Sequence, residues 1–284
     1  MKTARDTTVY TPASPLAAPG RMAGAMWRDL RLASHLAWRL LVRNLSAQYR
    51  QTALGYIWAF VPPLITSLLW IFLNAQKIVS FGSTEIPYPV YVLVGTLLWQ
   101  VFVDAINSPL RIMNQSTQML AKINFPREAL ILAAAGEVVF NFLIRLLLLA
   151  AVFVVFRVPL QSGLLLAPLG IAALILLGLV CGILLTPLGM LYQDVQRGVL
   201  VLTQPWFYLT PVIYPLPDSG LMSLVAGLNP VSPLLVMTRE LLTTGRLVQV
   251  PGALLVGCLS LVLLVAGWIL YRIAMPHLVE RMSA

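Results

Sequence analysis

The chain has 284 residues, of which 59% are hydrophobic and only 10% charged, and its mean hydropathy is +0.87. A soluble domain carries about 25% charged residues, so a water-soluble globule is excluded and lipid is the expected solvent. The net charge of +9 is not gathered on a soluble module, which argues against nucleic acid as a partner and for cytoplasmic loops held by anionic headgroups.

Residues 1–26 are rich in Thr, Ala, Pro and Ser and lack the apolar run of a cleavable signal peptide. They read as a flexible cytoplasmic tail. Over residues 27–49 and the position that follows, Arg28, Arg31, His35, Arg39, Arg43 and Arg50 gather on roughly one third of a helical wheel. Leu30, Ala37, Leu40, Leu41 and Leu45 take the opposite side, with Trp27 and Trp38 at its margins. The pattern predicts a basic amphipathic helix on the inner membrane surface.

From residue 50 to the end the expectation is an all-α membrane domain of six spans, at about 53–75, 89–110, 128–156, 164–190, 198–214 and 250–274. Each approaches the ~20 apolar residues that cross ~30 Å of hydrocarbon; Pro205 and Pro211 make the fifth the weakest. With the N-terminus inside, the outer basic residues are Lys77, Arg157, Arg239 and Arg246, and Arg145 lies within the membrane. Every other Lys and Arg is then cytoplasmic, so the positive-inside rule places both termini there. Between the last two spans, residues 215–245 read as two short apolar helices broken at Asn229-Pro230 and Ser232-Pro233. They are expected to re-enter the outer leaflet, which the backbone permits only against protein or a water cavity.

The second span carries a polar stripe of Gln100, Asp104, Asn107, Arg111, Asn114 and Gln118, and the third places Glu137, Asn141 and Arg145 at i, i+4 and i+8. Such groups are costly in lipid unless they face water or a partner, so they form either a hydrated pathway or a structural network. Asp104 is expected towards the cytoplasmic side and Arg145 towards the outer one, too far apart for a direct pair. Between these spans the cytoplasmic stretch MLAKINFPREAL, residues 119–130, is a short helix ending at Phe125-Pro126-Arg127. It offers an apolar knob with basic edges, or an ordinary charged turn.

No G-x-x-x-x-G-K-[ST], H-E-x-x-H or G-x-S-x-G motif is present. His35 and His277 lie outside the spans, and Cys181 and Cys258 sit in apolar runs at different depths, as packing residues. No metal or cofactor site is expected, and the chain is expected to move or anchor something rather than catalyse a reaction.

Several stretches occurring in order narrow this further: RNLSAQYRQTALGYIWAFVPPL, YPVYVLVGTLLWQVF, MLAKINFPREALIL, YQDVQRGV, PWFYLTPVIYPLP and LNPVSPLLVMTREL. From about residue 28 onward the chain resembles the membrane subunit of a type-2 ABC exporter of O-antigen, capsule or related polysaccharide. One departure is Pro62-Pro63, where the family often has Asn-Pro; a changed kink in the first span is the expected consequence. The resemblance implies a permease homodimer in the bacterial inner membrane, working with two copies of a cytoplasmic ATPase that binds the ATP and Mg. It implies a coupling helix at about 115–125 whose contact with the ATPase includes Met119, Leu120, Lys122, Ile123, Asn124, Phe125, Pro126 and Arg127. It also makes 27–49 an interface helix with Arg28, Arg31, Trp38, Arg39 and Arg43 exposed at the entrance. The cargo would be a glycan on polyprenyl diphosphate.

A long polar chain needs weak, repeated contacts, which aromatic faces supply. Candidates for the path are Tyr56, Trp58, Phe60, Trp70 and Phe72 on the first span and Trp206, Tyr208 and Tyr214 on the fifth, together with Gln100, Asp104, Asn107, Glu137, Asn141 and Arg145. The alternatives are a drug or antibiotic efflux permease of the same family, a proton-driven carrier, although no paired inverted repeat is visible, and a membrane scaffold.

Overall fold

The computed structural model describes residues 19–50, 55–79, 84–122, 125–217 and 219–283. Every regular element among them is helical: α1 (Pro19–Arg50), a 3₁₀ turn (Gly55–Ala59), α2 (Val61–Ala75), α3 (Tyr88–Gln115), α4 (Thr117–Lys122) and α5 (Glu128–Val155). A second 3₁₀ turn (Ser162–Leu165) precedes α6 (Ala167–Leu191), α7 (Asp194–Leu209), α8 (Leu221–Leu228), α9 (Val231–Thr243) and α10 (Val250–Ser283).

Four helices, α3, α5, α6 and α10, are long and apolar enough to cross a membrane, and the α8–α9 pair, bent by 90°, could supply a fifth crossing as a broken span. The chain is therefore a multi-pass membrane protein. The first and fifth expected spans are shorter than composition predicted. At 1.5 Å per residue, the 15 residues of α2 and the 16 of α7 reach about 22 and 24 Å, below the ~30 Å of hydrocarbon. Pro62 and Pro63 lie in the first turn of α2, where a missing N–H costs nothing; they start a helix rather than kink one. Likewise Ser232-Pro233 lies inside the first turn of α9, so the bent α8–α9 pair breaks only at Asn229-Pro230.

The N-terminal helix begins at Pro19, in its favoured place at a helix start, so residues 19–26 continue α1 instead of belonging to the tail. Residues 1–18 of that expected tail lie outside the described residues. The amphipathic pattern of α1 holds, but its apolar face is taken by protein. Ala33, Ala37 and Leu40 are buried with Ala129, Ala133 and Ala134 of α5, and a Cβ on Gly136 would meet the Leu41 side chain at 2.8 Å.

Among the described residues the bundle has two main cores, with a small third cluster of Val101, Ala105, Val138 and Leu179 from α3, α5 and α6. One, at the end where α1, α4 and the last turns of α10 meet (the basal end), contains Ala37, Leu40, Met113, Leu120, Leu130, Tyr271 and Met275. The larger, towards the α8–α9 hairpin (the apical end), contains Tyr91, Trp99, Phe102, Phe207, Val212, Ile213, Leu234 and Leu235. Helix α3 belongs to both and is the most enclosed of the long helices. Its partner α6 carries Gly178 and Gly182, a G-x-x-x-G spacing that lets two backbones approach. A Cβ on Gly178 would lie 2.5 Å from Ala105 Cβ and 2.7 Å from the Phe102 carbonyl oxygen, and one on Gly182 would lie 2.5 Å from the Ile106 oxygen.

Irregular backbone follows α7, and side chains satisfy it. Arg239 of α9, 1% exposed, donates through Nη1 to the carbonyl oxygens of Pro211 at 2.9 Å and Val212 at 3.3 Å, and its guanidinium lies 3.8 Å from the centre of the Tyr91 ring. Tyr88 donates to the Ile213 oxygen at 3.2 Å and Tyr91 to that of Tyr214 at 2.9 Å. Asn229 receives Trp206 Nε1–H at 3.1 Å and donates to Thr210 Oγ1 at 2.7 Å. The turn between α7 and α8 is thereby fixed to α3 and α9.

Gly178→Val is expected to destabilise the detergent-solubilised protein by about 1–3 kcal/mol, the usual cost of overpacking, because backbone rather than a flexible side chain blocks the added group. Thermal unfolding beside the wild type measures it; an unchanged midpoint would mean that α3 and α6 do not pack this closely.

Candidate functional site

Three features collect the candidate residues. The first is a polar seam between α3 and α5. Arg145 Nη1 donates to Asp104 Oδ2 at 2.6 Å, and its Nε donates to the Ala59 carbonyl at 3.2 Å. Gln100 Nε2 donates to the other Asp104 oxygen at 2.9 Å, and Arg111 pairs with Glu137. Glu137, Asn141 and Arg145 are all buried. A cavity of about 140 Å³ opens beside them, lined by Gln48, Trp58, Asp104, Asn107, Asn141 and Arg145 among others; at ~30 Å³ of liquid per water it holds only a few molecules. Below it, Asn114 Nδ2 donates to Gln196 Oε1 at 3.1 Å, bringing α3 against the start of α7.

The Asp104–Arg145 pair corrects the expectation that the two lie too far apart. Side chains lean towards the N-terminus of their own helix, and α3 and α5 run in opposite directions. Asp104 therefore leans towards α3's apical start and Arg145 towards α5's basal start, so the two converge across a difference in depth that Cα positions alone exaggerate.

The second feature is an open groove of about 530 Å³ along α2, α3 and α7, lined by Pro63, Thr66, Thr96, Trp99, Gln100, Val103, Thr203, Gln204, Phe207 and Tyr208 among others. Of the aromatic candidates, Tyr208 stands exposed on the groove and meets Trp70 edge to face at 6.0 Å. Trp58 lines the seam cavity, and exposed Tyr56 lies 6.1 Å from Phe140. Phe72 is exposed, Phe60 half-buried, and Tyr214 donates to the Tyr208 carbonyl at 2.9 Å. Trp206 does not line the groove. It points into the apical core, edge-on to Trp99 at 6.2 Å and Phe102 at 5.3 Å. The groove also holds Thr203, Gln204 and Phe207, which were not anticipated. With Leu200 and Tyr208 they form an i, i+3, i+4, i+7, i+8 set, the signature of one helix face.

The third feature is the basal turn. After Ser116 closes α3, α4 runs for 6 residues. Leu120 is buried and presents no surface, Met119 and Phe125 pack half-buried on the basal core, and Pro126 and Arg127 are also half-buried. The side chain of Lys122 and the whole of Ile123 and Asn124 lie outside the described residues. Arg43 Nη1 reaches the Met119 sulfur at 3.8 Å. Arg28, Arg31 and Arg39 are exposed on α1, as is Trp38, which is 66% exposed.

A helical, multi-pass membrane domain with a charged seam and an open polar-aromatic groove is a frame that transport proteins use. Residues 35–243 match the family described as ABC-2 type transporter, and the chain belongs to that family. It is thus a membrane subunit, not an enzyme, of transporters that work with a partner ATPase. Among its relatives, the O-antigen export system permease protein RfbA of Myxococcus xanthus is 26% identical over 232 residues, covering 80% of this chain and 88% of that protein. A protein of the same name from Klebsiella pneumoniae is 25% identical over 210 residues, covering 72% and 79%.

Breaking a buried ion pair leaves an uncompensated charge, whereas replacing both partners does not. Arg145→Met alone is expected to cost about 3 kcal/mol of stability, and the double variant with Asp104→Leu to recover most of it. Thermal unfolding of both variants checks this; equal losses would show that the two residues do not interact.

Proposed function

We propose that this chain is the permease of a type-2 ABC exporter that carries O-antigen or a related polysaccharide on polyprenyl diphosphate across the bacterial inner membrane. The observation that carries the reading is the groove of α2, α3 and α7. It interleaves hydroxyl and amide groups with aromatic rings, and it is open on one side. Sugar rings have apolar faces and polar rims, so such a wall grips them weakly at many points. A second copy of the chain would supply the facing wall, which makes the working unit a homodimer.

In this reading the short helices α2 and α7 are the first and fifth of six crossings, because they border the hydrated path and need not match the full hydrocarbon thickness. The α8–α9 hairpin re-enters from the outer side. Both termini are cytoplasmic, as the distribution of basic residues favours. Helix α1 flanks the entrance on the inner surface. The turn at α4 and Phe125-Pro126-Arg127 docks with the ATPase, of which two copies bind the ATP and Mg. The two relatives named as O-antigen export permeases support the choice of cargo.

Deleting the gene is expected to remove surface polysaccharide while polyprenyl-linked glycan accumulates inside, measured by extracting and sizing the lipid-linked pool. Unchanged surface glycan without accumulation would overturn the cargo and turn attention to drug efflux. With the cargo established, Phe125→Asp is expected to lower export by at least about tenfold, in the range by which coupled sites influence one another, while ATP hydrolysis by the purified complex continues. Normal export by that variant would remove the turn from the coupling path.

A further inference from the structure

We propose that α10 is the rod that carries motion from the basal turn to the apical hairpin, and that Arg272 and Tyr271 are the positioning residues through which it is gripped. This rests on the reading of the turn as the site of ATPase contact.

Arg272 joins three helices. Its Nη2 donates to Asp29 Oδ2 of α1 at 2.6 Å, and its Nη1 donates to Glu128 Oε1 at 3.3 Å. Glu128 is the first residue of α5, directly after the Phe125-Pro126-Arg127 turn. One residue earlier, Tyr271 is 1% exposed, and its hydroxyl donates to the Arg127 carbonyl at 3.2 Å. The last two residues before α5 is under way are therefore each tied to α10, one through its backbone and one through its side chain. A planar guanidinium suits this task, because its fork of donors can hold two carboxylates at fixed angles.

The other end of α10 meets the hairpin. A Cβ on Gly252 would lie 3.0 Å from Pro233 Cβ in the first turn of α9. Ala253 and Val256 are buried in the apical core with Leu234 and Leu235. Between Gly252 and Arg272 the helix is continuous, about 30 Å at 1.5 Å per residue. This continuous helix links Arg272 to α9 by a path that does not pass through the polar seam.

Of the two pairs, the one with Asp29 is too exposed to be needed for folding, whereas Glu128 is buried, so the substitution at 272 must keep a donor for it. The side chains of Arg272 and Asp29 are 26% and 28% accessible, and partly solvated pairs add little stability. Loss of the Asp29 pair should register in coupling before it registers in folding.

The test uses the permease in complex with its ATPase, with Cys181 and Cys258 replaced by Ala and Gly227→Cys introduced as a reporter. A side chain at 227 has open space around it, and the residue lies in α8 at the apical end. The probe is a maleimide, and its rate of reaction is compared with and without ATP. The expected result is a rate that changes on adding ATP in the reporter protein. In Arg272→Gln, whose amide keeps a donor for the buried Glu128 carboxylate and gives up the partly solvated Asp29 pair, that change is lost, while ATP hydrolysis stays within about twofold. Tyr271→Phe, which keeps the packing and removes only the hydroxyl, should reduce the change, and Arg272→Lys should restore part of it. An ATP-dependent rate that survives in Arg272→Gln overturns the proposal. So does a reporter rate indifferent to ATP, or a parallel fall of hydrolysis and labelling that tracks the amount of folded protein. The assay needs no glycan, so an error about the cargo would appear in the deletion strain and leave the labelling result standing.

Discussion

The buried guanidinium of Arg239 decides how the apical half of this protein is built. A carbonyl in hydrocarbon has no water to accept from, and the segment after α7 turns too sharply to satisfy its own. Arg239 supplies two of its carbonyl oxygens, and Tyr88 and Tyr91 supply the next two. These three donors stand on α3 and α9, so the turn cannot be satisfied unless α3, α7 and α9 are assembled. The same constraint shapes the helix ends. Lys77 and Arg157 adopt left-handed backbone, with φ of 56° and 51°, so that Ile78 and Val158 can donate back to Leu73 and Phe153 and close α2 and α5. Holding non-glycine residues there costs energy, which the hydrogen bonds offset.

Packing distributes rigidity unevenly. The apical core is dense in aromatic rings and gathers residues from α3, α5, α6, α7, α9 and α10, whereas the basal core is built largely from Ala, Leu and Met and a single tyrosine. Between them the Arg–carboxylate pairs of the seam bind α3 to α5.

Much of the fold was legible in the residues themselves. The apolar face of α1 follows from the 3.6-residue period, since Ala37, Leu40 and their neighbours turn inward as the wheel required. The two short helices α8 and α9, bent by 90° at their junction, followed from two apolar stretches separated by Asn229-Pro230. The site was only partly legible. Trp206 belongs to an aromatic segment like Tyr208, two residues later, yet one fills a core and the other faces the groove. Two residues are about 200° of helix, and composition does not record which face a neighbour covers. The Asp104–Arg145 pair is not legible from position along the spans alone, because side chains on opposed helices lean towards one another.

The sequence by itself determined the solvent, the helical class, the family and the break at Asn229-Pro230, because these depend on local apolar length, period and proline chemistry. Tertiary structure alone decided which polar groups meet and which aromatic residues remain exposed. Those outcomes depend on the rotation and opposed direction of packed helices, and that information arises only when one helix lies against another.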